Sequence, residues 1–126
     1  MKKIFGMLSA LLLITACSGP AGVTNLNAAD FLAKSQEPGV TVIDVRTAGE
    51  YAQGHLANAL NIDVEAGAFE SEIATLDKSA YYVIYCRSGR RSTIAAEKMA
   101  SAGFTAIFNL QSGGFADLAQ IGAPTA

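Results

Sequence analysis

The stretch YYVIYCRSGRRSTIAAEKMASAG, residues 81 to 103, changes character twice. Tyr81 to Cys86 is aromatic and β-branched, the composition of a strand buried on both faces. Ser92 to Gly103 is rich in alanine and reads as a helix, with Ser92 placed to cap its start, Ile94, Ala95 and Met99 expected on one face, and Gly103 as a natural stop. Between them lies CRSGRRS, in which Arg87, Arg90 and Arg91 crowd around the thiol of Cys86. Strand, short loop and helix make the unit from which open parallel sheets are built, and such sheets bind their ligands beyond the carboxyl ends of the strands. Cys86 is therefore expected at that end, facing the amino end of the next helix, where free amides and the helix dipole favour negative charge. The three guanidinium groups act in the same direction. Together they predict a thiol pKa below the usual value of about 8.5. Gly89 supplies a backbone conformation that a side chain would obstruct, so the loop amides can converge into an anion-binding nest.

The rest of the chain repeats the alternation. VTVIDV, residues 40 to 45, reads as another strand buried on both faces, and ALNI (59 to 62) and TAIFNL (105 to 110) as further strands. Asn27 offers an N-cap with Asp30 three residues on, opening a helix to about Ser35, and Thr47 with Glu50 repeats the capping-box pattern. Phe69, Ile73 and Leu76 recur at helical spacing, and FADLAQI reads as a short closing helix after the SGG turn. The pattern predicts a three-layer α/β/α fold with a mainly parallel sheet, and Phe31, Phe69 and Phe104 belong to its core. Asp44 and Arg46 read as an internal ion pair or hydrogen-bond anchor at the sheet edge rather than as reactants.

The chain of 126 residues opens with MKK, an apolar run from Ile4 to Ile14, and TAC, which is the order of a secretory signal. The run is too short for a membrane span, which takes about 20 residues. Ile14-Thr15-Ala16-Cys17 resembles a bacterial lipobox, which implies that residues 1–16 are a lipoprotein signal peptide, that Cys17 is the lipidated N-terminus, and that residues 17–22 are a tether. Ser18 follows where an aspartate would retain the protein at the inner membrane, so the expectation is a lipid anchor on the periplasmic face of a bacterial membrane, the outer one in a Gram-negative cell. Without Lys2 and Lys3, seven of the nine basic residues remain against eleven acidic ones, so nucleic acid is not an expected partner. The 110 residues from Cys17 onward suffice for one domain, 23–126 after the tether. With Cys17 consumed by lipid, Cys86 has no partner for a disulfide, and a free thiol in an oxidising compartment is either deeply buried or kept for its reactivity.

CRSGRRS resembles the C-x-x-G-x-R-S active-site loop of rhodaneses, and DVRTAGEYAQGHLANALNI, residues 44 to 62, resembles their D-x-R, E-[FY]-x-x-G-H and A-x-N-I signatures. The resemblance spans residues 24 to 124, and among subfamilies it is nearest the exported, single-domain phage-shock type. It implies a five-stranded parallel α/β sheet and thiosulfate:acceptor sulfurtransferase chemistry, a double displacement through a Cys86 persulfide. Arg87, Ser88, Gly89, Arg90, Arg91 and Ser92 would then form the substrate cradle: the loop amides hold the transferred sulfur, and Arg87 and Arg90 hold the sulfonate oxygens. Arg91 matches the family's loop arginine and is a candidate to be tied back by Glu50. His55 lies in the G-H signature, which in the family serves architecture, so no Cys-His dyad is expected. The implied partners are a small anionic sulfur donor and a thiophilic acceptor such as cyanide or a thiol, with no cofactor and no metal, and the protein is expected to be a monomer.

Two departures from the family pattern stand out. Asn58 replaces a usual glycine, and asparagine is the next most tolerant residue of positive φ. LQSGGFADL carries an added residue and puts Leu118 where tryptophan is common, which bears on the rim of the pocket. Three other functions compete. A rhodanese-like phosphatase or arsenate reductase uses C-x5-R, and here the sixth residue after Cys86 is Ser92, with the last arginine at 91. A non-catalytic rhodanese-like binding module typically lacks the cysteine. A thiol peroxidase or disulfide exchanger would need an external resolving thiol.

Overall fold

The computed structural model describes residues 21–126, so the expected signal segment, Cys17 and Ser18 lie outside the described residues. The elements in chain order are β1 (Val23–Leu26), α1 (Ala28–Ser35), β2 (Val40–Asp44), α2 (Ala48–Gln53), β3 (Leu60–Asn61), α3 (Phe69–Ile73), β4 (Tyr81–Tyr85), α4 (Arg90–Ser101), β5 (Ile107–Leu110) and α5 (Phe115–Gln120). The five strands form one sheet in the order β1-β5-β4-β2-β3, every pair parallel. The expected α/β architecture is present, with one strand, β1, that the residue pattern did not announce.

Alternation along the central strands builds two cores. Ile43, Tyr82 and Ile84 face one side, where they pack with Phe69, Ile73, Ala95, Met99 and Phe104. Val42, Val83 and Tyr85 face the other, with Phe31, Leu110 and Leu118. Each fully buried side chain of this size contributes about 1.5–3 kcal/mol. A strand covered on both faces has no need of polar alternation, which is why β2 and β4 are almost continuously apolar.

Helix starts follow local chemistry. Asn27 Oδ1 accepts from the Asp30 amide at 2.8 Å. Thr47 and Glu50 form the reciprocal capping box of α2. Asn58 adopts φ 65°, the left-handed turn expected of it. The start of α4 differs from expectation. Ser92 is not its cap: the helix begins at Arg90 and its N-cap is Gly89, at φ 97°. A Cβ at Gly89 would collide with the Gln111 carbonyl oxygen, so both the φ and the space require glycine. The buried stripe of α4 is Ser92, Ala95, Ala96 and Met99, a strict i, i+3, i+4, i+7 series, and Ile94 is turned out to 38% exposure.

The sheet order places the site. β2 and β4 are neighbours in a register that pairs Asp44 with Tyr85. The next residues in each strand direction are Val45 and Cys86, so Cys86 emerges at the carboxyl edge beside the end of β2, with Arg46 one residue further on.

Candidate active site

Cys86 is the first residue beyond β4, fully buried, with a free thiol. The loop curls back over it, so that the Gly89 amide donates to Sγ at 3.0 Å. Burial works against ionisation of the sulfur, but the Ser92 hydroxyl and the amides of Ser92, Ser88 and Gly89 outweigh it and hold the thiol below its ordinary pKa. Part of what sequence reasoning assigned to the arginines is thus done at close range by backbone amides and one hydroxyl. Ser92 itself is fully buried, its hydroxyl 3.2 Å from both the Gly89 and the Leu110 carbonyl oxygens. The loop is closed from the far side by α5: the Phe115 amide donates to the Cys86 carbonyl at 3.0 Å, and Gly114 approaches the Arg87 and Cys86 carbonyls so closely that no Cβ would fit.

The three arginines divide into two groups. Arg91 is tied back, as the resemblance suggested, by a two-point contact to Glu50, with Nη1 to Oε1 at 2.6 Å and Nη2 to Oε2 at 3.0 Å. That guanidinium holds the Glu50 carboxyl down at about 2, with Thr47 acting in the same direction against burial. Arg87 and Arg90 are exposed and, among the described residues, form no ion pair and no side-chain hydrogen bond. Two cations without partners beside a thiol held below its usual pKa make a site for an anion with an electrophilic atom.

A cleft of about 350 Å3 opens beside the loop, with Arg46, Glu50, Arg87 and Phe115 in its wall. Arg46 is held there by Asp44, which receives Nη2 at 2.7 Å and Nε at 3.0 Å, while Nη2 also reaches the Gly54 carbonyl at 2.6 Å. Burial opposes the Arg46 charge, but Asp44 more than compensates and its pKa is raised. The guanidinium lies 4.6 Å from the Phe115 ring centroid. Tyr85 completes the network, its hydroxyl donating to Asp44 Oδ2 at 2.6 Å and accepting from the Leu56 amide at 3.0 Å. Burial and the adjacent carboxylate push the Tyr85 phenol far above its usual pKa, so it remains a donor.

His55 points elsewhere. Its ring stacks on Tyr51 with centroids 3.6 Å apart, and Nδ1 donates to the Tyr51 carbonyl at 2.9 Å, a bond whose direction is fixed because a carbonyl only accepts. Its backbone pairs with Ala126. Among the described residues no group of three or more His, Cys, Asp or Glu side chains is arranged to hold a metal ion.

Sequence reasoning missed Tyr85, Gly114 and Phe115. Tyr85 reads as one more strand aromatic, although its place directly before the thiol and beside D-x-R was a usable signal. The rim aromatic is Phe115, not residue 118: Leu118 is fully buried in the core with Phe31 and Tyr85, so its departure from the usual tryptophan lies away from the cleft.

With this geometry in hand, three comparisons are informative. Residues 27–120 match the family described as rhodanese-like domain. The thiosulfate sulfurtransferase PspE of Escherichia coli is 35% identical over 77 residues, covering 61% of this chain and 72% of that protein. The thiosulfate sulfurtransferase GlpE of Pseudomonas fluorescens is 33% identical over 79 residues, 62% of this chain and 70% of its own. The crystal structure of a protein from Anabaena superposes with a TM-score of 0.71 at 28% identity, covering 80% of this chain and 90% of that one.

Proposed function

The chain belongs to the family of rhodanese-like domains, and on that premise we propose that it is a thiosulfate:acceptor sulfurtransferase working by double displacement through Cys86. The observation that carries the reading is the buried thiol that receives the Gly89 amide at 3.0 Å while Arg87 and Arg90, unpaired among the described residues, stand exposed beside it. In the first half-reaction the Cys86 thiolate attacks the outer sulfur of thiosulfate. An S–S bond forms to Cys86, the S–S bond of thiosulfate breaks, and sulfite leaves with the electron pair. The loop amides that stabilise the thiolate remain in place to stabilise the terminal sulfur of the persulfide, and Arg87 and Arg90 hold the sulfonate oxygens. In the second, cyanide or a thiolate attacks that terminal sulfur and Cys86 leaves as thiolate. Neither half requires a proton from His55, a cofactor or a metal. Arg91, engaged by Glu50, braces the loop rather than the substrate.

Thiocyanate formation from thiosulfate and cyanide tests the reading. Cys86→Ser is expected to abolish it, and Arg87→Ala to reduce kcat/KM for thiosulfate about tenfold or more, the worth of a charge-assisted hydrogen bond. Full turnover by Cys86→Ser overturns it.

The same proposal extends to place and form: a monomeric rhodanese of the exported, single-domain phage-shock type, lipidated at Cys17 and held by the tether 17–22 at the periplasmic face, on the outer membrane in a Gram-negative cell. The supporting features are Lys2 and Lys3 before the apolar run, Thr15-Ala16 before Cys17, and Ser18 after it. Among the described residues no helix is long and apolar enough to cross a membrane. A Cys17→Ala variant is expected in the soluble fraction, and its retention in the membrane contradicts lipid anchoring.

A further inference from the structure

β5 contains a buried polar residue that the reaction as described does not use. Asn109 is fully buried on the face of the sheet that α4 covers, in a strand otherwise made of Ile107, Phe108 and Leu110. An amide there is costly unless bonded. Its Nδ2 group makes two bonds, to Asn25 Oδ1 and to Thr93 Oγ1, each at 3.0 Å. Asn25 is its register partner on β1, and Thr93 lies in the first turn of α4. Thr93 Oγ1 is in turn 2.7 Å from the carbonyl oxygen of Gly89.

The proton order in this chain is determined. The Gly89 carbonyl can only accept, so the Thr93 hydroxyl must donate to it; Thr93 Oγ1 must then accept from Asn109, which fixes the orientation of the Asn109 amide and leaves Asn109 Oδ1 without a partner. An amide tolerated in the core with one dissatisfied oxygen is being used for its two donors. The end of the relay lies on the catalytic loop. Three donors converge on the Gly89 carbonyl: the Thr93 hydroxyl at 2.7 Å, the Thr93 amide at 3.2 Å and the Ser92 hydroxyl at 3.2 Å. A carbonyl has two lone pairs, and the two from Thr93 fill them.

We infer that Thr93, oriented by Asn109 and Asn25, is a positioning residue for the Cys86 sulfur: by occupying the Gly89 carbonyl it fixes the Gly89 backbone and keeps the Gly89 amide aimed at Sγ. The Asn25 and Asn109 amides tie this arrangement to the two strands farthest from β2, so the loop is braced on one flank by Glu50 and Arg91 and on the other by the relay. The inference rests on Cys86 being the reacting thiol.

The test is the pH dependence of Cys86 alkylation by iodoacetamide in the reduced full chain, followed on the Cys86 peptide by mass spectrometry so that Cys17 does not contribute. The charged groups on the loop and on the elements packed against it are Arg87 on the loop, Arg90 and Arg91 on α4 with Glu50 from α2 and Glu65 paired to Arg91, Asp44 at the end of β2 with Arg46 just beyond it, and Asp117 on α5. A change at residue 93 leaves all of them in place, so a moved profile reports the relay. Thr93→Val, close in shape but without the hydroxyl, is expected to move the midpoint to higher pH and to slow alkylation near neutrality about three- to tenfold. Thr93→Ser restores the hydroxyl and is expected within about twofold of the parent chain, since the bond itself is retained. A parental profile for Thr93→Val, or a serine variant as impaired as the valine one, overturns the inference. Should Thr93→Val fail to fold, Asn25→Ala on the half-buried edge strand serves instead: a smaller shift in the same direction supports the relay, and an unchanged profile overturns it. Alkylation needs no thiosulfate, so a chain that behaves as expected here yet forms no thiocyanate keeps the relay and loses the proposed sulfur donor.

Discussion

Two carboxylate–arginine pairs flank the cleft, and they are built in opposite ways. Asp44–Arg46 is closed to solvent, with side-chain exposures of 0% and 6%, and both partners have further bonds, to Tyr85 and to the Gly54 carbonyl. Glu50–Arg91 is open, at 27% and 17%, and joins α2 to the first turn of α4, directly after the catalytic loop, rather than two residues at one strand end. The first pair is part of the scaffold: its charges are out of water, so each partner is indispensable to the other. The second is a brace in contact with solvent, where screening and side-chain entropy reduce its value to at most about 1 kcal/mol. Nearness to the thiol therefore does not rank the two. The buried pair governs whether the cleft exists, and the open pair governs how firmly the loop is held.

The contrast can be broken most severely at Asp44. Asp44→Asn leaves a buried guanidinium without its counter-charge, and urea unfolding is expected to show a loss of roughly 3–5 kcal/mol. Tyr85→Phe removes the donor to Asp44 and the acceptor of the Leu56 amide together, with an expected loss of about 1–3 kcal/mol and little direct change in the alkylation profile of Cys86. Glu50→Gln is expected to be smallest, below about 1 kcal/mol, with Arg91 released toward the loop. Its signature lies in acid. The Glu50 carboxyl titrates at about 2 in the folded chain against an ordinary 4.5, so the unfolded chain takes up the proton first. The stabilisation is complete above about pH 4.5 and is lost as pH falls toward 2. Acid-unfolding curves of the parent should therefore steepen through that window relative to Glu50→Gln, and coincident curves would show that the pair stabilises nothing.

The parts of this arrangement that were legible in the sequence are local. Asn27 and the Thr47–Glu50 box announce their helices because capping is a contact over three residues, and Tyr81 to Cys86 announces a buried strand by composition. β1 was not legible: VTNL is a four-residue, half-buried edge strand whose only reason to be straight is β5, more than eighty residues away. The start of α4 was misread at Ser92 because capping rules look for a side-chain oxygen, whereas Gly89 is required there by a carbonyl from another loop. Ile94 was read on one face with Ala95 and Met99, whereas the buried stripe is Ser92, Ala95, Ala96 and Met99: a polar serine in that stripe is not visible to a reading by hydrophobic periodicity. At the site, Cys86 and its arginines were visible as a pattern, while Tyr85, Phe115 and Asn109 acquire their roles only from residues brought to them by the fold.

The central claim is that Cys86 carries sulfur. Intact-mass spectrometry of the reduced, folded full chain, with and without thiosulfate and beside Cys86→Ser, tests it directly. The parent chain is expected to gain one sulfur atom, about 32 Da, that cyanide removes and that Cys86→Ser never acquires. No gain in the parent chain, or the same gain in Cys86→Ser, would contradict it.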